Sequence, residues 1–116
     1  MRESIKSIIE WSEQAFPDAT IEGQIEKYHQ EQTESYDCLR GSKEELFELA
    51  DCFIVACSIG RFDLEHAAYY FGDVEQMIIE SEFTRQEVCA AVDAKMAINR
   101  LRSWEKKNGN YQHVEE

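Results

Sequence analysis

The stretch EQTESYDCLRGSKEELFELAD, residues 31–51, decides how this chain folds. Gly41 stands at its centre, and Ser42-Lys43-Glu44-Glu45 follows with the serine-to-glutamate spacing of a capping box. A glycine that stops one helix and a box that opens the next predict an antiparallel helix hairpin. Glu34 lies seven residues before Gly41 and Glu48 seven after; Glu31 lies ten before and Asp51 ten after. Within each pair the members are three residues apart, about 60° around a helix and roughly 4.5 Å along it, so they share a face. The hairpin is therefore expected to set Glu34 against Glu48 and Glu31 against Asp51, roughly 10–15 Å from the turn.

Working outward, the same periodicity continues in both directions. A first helix is expected over Ser4–Phe16, with Ile5, Ile8, Ile9, Trp11 and Phe16 as its apolar side and Pro17-Asp18 as its break. The second, capped by Thr20, is expected over Thr20–Arg40, and the third runs on from the box to Ile59. A fourth spans Leu64–Ile79, with Gly72 as a point of interruption. Thr84-Arg85-Gln86-Glu87 is a second capping box, opening a last helix to Lys107, with Gly109 as its stop and a tail behind it over 109–116. The fold class expected is all-α: an antiparallel helical bundle, residues 1–116, forming a single domain.

Composition narrows the function. Apolar residues make up 43% and charged residues 31%, a balance that supports a packed core. Twenty-four acidic residues against 12 basic ones give a net charge of −12, which argues against binding nucleic-acid backbones or an anionic membrane surface and permits cation binding. Arg2, Glu3 and Lys6 interrupt any apolar signal core, and the expected location is cytoplasmic. The cysteines, at 38, 52, 57 and 89, include no C-x-x-C pair and are expected to be reduced core residues.

Glu31, Glu34, Glu48 and Asp51 form the candidate metal site. Converging carboxylates repel unless protons or cations intervene, and oxygen ligands on a rigid frame suit Mg²⁺ or Mn²⁺. Acid pairs at this spacing are also common on solvated faces, and Glu10/Glu13, Glu34/Asp37 and Glu45/Glu48 show it here. Asp51 differs from these: it is the one polar residue within Leu49–Cys57. It shares a stripe with Glu48, Val55 and Ile59, opposite Leu46, Leu49 and Phe53, so this helix reads as apolar on two sides. A carboxylate buried there calls for a cation.

In the last helix Val88, Ala91 and Val92 mark the inward stripe, and Lys95, Asn99 and Arg102 continue it. These three are the candidate substrate-binding residues. Lys and Arg suit phosphate oxygens, and Asn suits a sugar hydroxyl or phosphate. Two readings stand: structural partners of the acids, or a site awaiting an anion. With acids to hold Mg²⁺, the second makes a site for a metal-bound polyphosphate.

Together these residues resemble the MazG-like, all-α nucleoside triphosphate pyrophosphohydrolases. Lys27-Tyr28-His29-Gln30-Glu31-Gln32-Thr33-Glu34 is similar to that family's Lys-apolar-x-Glu-Glu-x-x-Glu, with Gln30 in place of the first Glu of the doublet. Glu48-Leu49-Ala50-Asp51 resembles its Glu-apolar-small-Asp, and Lys95–Trp104 with Gly109–His113 looks like a phage or prophage branch. The resemblance covers about residues 10–61 and 88–114 and departs in Asp63–Phe83, which is longer than the usual link. It implies Mg²⁺-dependent cleavage of a nucleoside triphosphate, usually a deoxynucleotide, to monophosphate and pyrophosphate. It also implies a homodimer or homotetramer with sites completed across subunits. Glu34 is the candidate catalytic residue, as base or as orienter of the attacking water.

Two rival readings come from other classes. A di-iron carboxylate bundle uses Glu-x-x-His pairs; Glu26-x-x-His29 is present and Asp63-x-x-His66 comes near it. A non-catalytic acidic interaction protein would spread its charge over the surface and would not need inward Lys95 and Arg102. Trp11, Phe16 and Trp104 are candidates to stack a base, although aromatics at helical spacing also serve a core.

Overall fold

The structure is a computed structural model that describes residues 1–102 together with the strand segments 104–107 and 110–113. Five helices follow one another: α1 (Ile5–Ala15), α2 (Ile21–Asp37), α3 (Lys43–Gly60), α4 (Leu64–Glu80) and α5 (Arg85–Leu101). A short antiparallel ribbon of β1 (Trp104–Lys107) and β2 (Asn110–His113) comes after them. The described chain is thus helical except for this ribbon, as the composition led one to expect.

Each helix starts where a side chain can satisfy free backbone N–H groups. Ser4, Thr20, Asp63 and Thr84 cap α1, α2, α4 and α5. At α5 the box is complete: Thr84 Oγ1 accepts from Glu87 N at 3.1 Å, and Glu87 Oε1 accepts from Thr84 N at 2.9 Å. At α3 it is displaced by one residue. Ser42 Oγ accepts from Glu45 N at 3.2 Å, but Glu45 Oε1 accepts from Gly41 N at 2.9 Å. Gly41 has φ +78°, the left-handed conformation that glycine adopts without strain. Gly72 does not interrupt α4, which passes through it on an exposed face.

Helix α3 is the central element, packed against α1, α2, α4 and α5. From Leu49 to Gly60 only Asp51 and Phe53 keep appreciable exposure. Four helices of the same chain cover its apolar sides. Cross-links orient its neighbours. Arg61, just past α3, donates from Nη1 to Ser12 O at 2.8 Å and Phe16 O at 3.0 Å, satisfying carbonyls at the end of α1. Asp73 Oδ2 on α4 accepts from Tyr28 Oη and Gln32 Nε2 on α2, both at 2.6 Å. Asp93 Oδ1 on α5 accepts from Glu3 N at 2.9 Å, and Arg100 donates to Glu3 Oε1 at 2.7 Å, fixing the N-terminus to α5.

Two helix ends differ from expectation. Helix α2 stops at Asp37 rather than Arg40, because Cys38 is extended at φ −76°, ψ 153°. Helix α5 stops at Leu101 rather than Lys107: Arg102 is extended at φ −80°, ψ 148°, and Trp104–Lys107 is strand. Lys107 pairs with Asn110 across the ribbon. Gly109 as a helix stop lies outside the described residues. Tyr111–His113, expected as part of a tail, belongs to β2. All four cysteines are free; Cys52 and Cys57 are buried, and Cys38 and Cys89 are partly exposed. Among the described residues, no helix is long and apolar enough to cross a membrane.

Candidate carboxylate and cation site

The α2–α3 hairpin brings three of the four expected carboxylates together. Glu31, Glu34 and Glu48 each offer an oxygen, and these lie within 4.8 Å of one another. Glu31 and Glu48 are half-buried and Glu34 is exposed. Glu34 meets Glu48 as expected, but the second pair is offset: Glu31 also meets Glu48 rather than Asp51. Asp51, one turn further along α3, faces Lys95 of α5, with Nζ 3.3 Å from Oδ2. The offset follows from where the helices end. Glu31 is six residues before the end of α2, and Glu48 is five after the start of α3, which puts them level.

Crowding and burial set the proton affinities. Burial, the hydrogen-bonding contact with Glu48 and the charges of Glu48 and Glu34 push the Glu31 carboxyl up to about 8. Burial also raises Glu48, while its contact with Glu31 works against that rise. The two carboxyls are close enough to share a proton, and burial makes both hold protons above the ordinary carboxylate range. Burial raises Asp51 to about 6 in spite of Lys95 beside it. Glu48 Oε2 is buried and has no hydrogen-bond partner among the described residues. A buried carboxylate oxygen without a donor, beside two more carboxylates, fits a hard divalent cation bound through oxygen.

Cations ring the cluster. Lys95 is half-buried and Asn99 buried on the inward side of α5, as expected, whereas Arg102, also half-buried, is the extended residue just past the helix and so leaves the helical stripe. The Asn99 amide lies against Met96 Sδ at 3.9 Å. Lys95 Nζ also lies 5.8 Å from the centre of the Phe47 ring. Lys27 of α2 also belongs to the site. Burial lowers its pKa, and the charges of Glu31 and Asp51 oppose that shift. Its ammonium lies over the Phe16 ring at 5.5 Å, and Arg102 is near enough to repel it. The sequence signal was its position four residues before Glu31 and seven before Glu34, on the same helix face.

The rival ligands fall elsewhere. His29 and His66 are exposed and lie against Tyr70, at 5.9 and 5.8 Å between ring centres. Asp63 spends its carboxylate capping α4, with Oδ1 3.2 Å from His66 N. Neither Glu-x-x-His nor Asp-x-x-His contributes to the described cluster. Trp11 and Phe16 are buried edge to face at 5.1 Å, as core residues. The Trp104 side chain lies outside the described residues.

The raised carboxyls carry a consequence for stability. The unfolded chain releases these protons near pH 4, whereas the folded chain holds them through about 6 at Asp51 and about 8 at Glu31. Over that window the folded state binds more protons, so this contribution to stability falls as pH rises. The lowered lysine pKa of Lys27 acts in the opposite sense, towards the alkaline range. The protein in chelator is therefore expected to melt at higher temperature at pH 5.5 than at pH 8.0. A melting temperature that rises steadily from pH 5.5 to 8.0 in chelator would contradict these proton assignments.

No protein-family model, curated protein or solved structure matches the chain.

Proposed function

We propose that the protein is a Mg²⁺-dependent nucleoside triphosphate pyrophosphohydrolase, with Mn²⁺ as an alternative ion. It cleaves a nucleoside triphosphate, usually a deoxynucleotide, to monophosphate and pyrophosphate. The observation that carries this reading is the meeting of Glu31, Glu34 and Glu48 within 4.8 Å, with the Lys95–Asp51 pair alongside. An acidic surface without catalysis would not need half-buried ammonium groups beside its carboxylates.

Glu31, Glu34 and Glu48 would hold the ion, with Asp51 as a fourth carboxylate. A bound divalent ion supplies charge neutralisation at the phosphates and a more acidic water. Glu34, the exposed member, accepts a proton from the attacking water or orients it. Lys95 and Arg102 offset charge that develops on the phosphate oxygens, and Lys27 joins them from α2. Asn99 serves a sugar hydroxyl or phosphate oxygen from the same face of α5.

A homodimer or homotetramer is part of the proposal. Leu101 and Leu39, 85% and 81% exposed, are apolar surface available to a second copy. Sedimentation equilibrium is expected to give a multiple of the chain mass; an active monomer at micromolar concentration would oppose it. The function itself is tested by pyrophosphate release from the four deoxynucleotides and dUTP, with Mg²⁺ and with chelator. Release from at least one substrate, only with the ion, is expected. No release from any of them would overturn the proposal.

A further inference from the structure

We propose that Lys95 is a built-in counter-ion of the carboxylate cluster, which Asp51 gives up when a divalent cation binds at Glu31, Glu34 and Glu48. This rests on the cation-site reading above and adds a regulation to it: the site exchanges an internal cation for an external one.

Three observations carry it. First, Asp51 is the member of the expected four that does not join the close triad, and its carboxylate faces the Lys95 ammonium at 3.3 Å. Second, the pair is no surface contact: the side chains are 17% and 18% exposed, so each ion has lost most of its water and depends on the other. Third, the ammonium already has a second neighbour in the position where it meets Asp51. The Phe47 ring centre is 5.8 Å from Nζ, and Phe47 precedes Glu48 on α3. A lysine released from Asp51 can keep its charge over that ring, at the edge of the cluster.

Exchange of this kind couples two binding events. While Asp51 is paired with Lys95, neither is free for an external ligand. Once Asp51 turns to the divalent ion, Lys95 is available to an anion, and cation binding prepares phosphate binding. By the same linkage Lys95 competes with the ion, so its removal tightens cation binding while it weakens anion binding. A lysine with a purely structural role would do the reverse, since loosening the site weakens every ligand.

The test is Mn²⁺ binding to the full chain without nucleotide, read by electron paramagnetic resonance, for the wild type, Lys95→Met and Lys95→Arg. Lys95→Met is expected to bind Mn²⁺ roughly tenfold more tightly, within the usual range of coupling between sites. Lys95→Arg, which keeps the charge, is expected to stay near the wild type. Unchanged or weaker binding by Lys95→Met overturns the proposal. Should Lys95→Met not fold, reductive methylation of the Lys95 amine in the wild type gives the answer. Faster labelling with Mg²⁺ supports release from Asp51; an unchanged or slower rate overturns it. Failure of the hydrolase reading is separate: tighter Mn²⁺ binding by Lys95→Met without hydrolysis of any nucleotide keeps the counter-ion and removes the activity. Indifference of all three proteins to Mn²⁺ removes both.

Discussion

Glu34→Gln is expected to lower nucleotide hydrolysis by roughly 10²- to 10⁴-fold, the range for loss of a positioned acid–base group. Glu34 is the exposed corner of the triad, so its replacement leaves no buried group without a partner. Gln keeps the size of the side chain and loses only the charge and the proton-accepting oxygen. Circular dichroism and melting temperature are expected to stay close to the wild type while turnover collapses. Near wild-type turnover on the best substrate would remove Glu34 from the chemistry.

Arg102→Met comes next in size. A lost charge-assisted phosphate contact is worth roughly 1.5–3 kcal/mol. On the scale of about 1.4 kcal/mol per decade, that is roughly 10- to 150-fold in kcat/KM. Arg102→Lys is expected to recover little, because a single ammonium does not reproduce the planar fork. The structure gives this variant a clean control. Arg102 sits at the end of α5 and repels Lys27, so removing its charge relieves a like-charge contact. Stability of the metal-free protein is therefore expected to hold. A large drop in melting temperature with unchanged kcat/KM in the folded fraction would assign Arg102 to a structural ion pair.

The hairpin was legible in the sequence because its signals are local. A glycine free to adopt φ +78° and a serine placed to cap the next turn act within a few residues of themselves. The cross-hairpin partners were less legible. Counting from Gly41 treats the connection as symmetric, but Cys38 already leaves the helix, so α2 ends four residues before Gly41 and α3 begins two after it. That difference moves Glu31 beside Glu48 and leaves Asp51 to Lys95. The choice of Lys95 as partner depends on how α5 packs against α3, which no spacing within one helix encodes.

The end of α5 shows a different competition. Lys95, Asn99 and Arg102 keep helical spacing, and Trp104–Lys107 contains no helix breaker, so the pattern runs on. The sequence also carries an opposing signal, the dipeptide Asn-Gly at 108–109, a composition that favours hairpins over helices. Similarly, the apolar breadth of α3 was visible in Leu49–Cys57, but what covers it was not. Four helices pack around α3, and which of them covers which side is set by tertiary packing rather than by any spacing within one helix.

The proposed activity would cut a nucleoside triphosphate between its α and β phosphates. Phosphorus NMR of one deoxynucleoside triphosphate incubated with the full chain tests it most directly. With Mg²⁺, monophosphate and pyrophosphate are expected to appear in equal amounts, and with chelator in place of the ion no product is expected. Diphosphate with inorganic phosphate, or equal turnover in chelator, would contradict this activity.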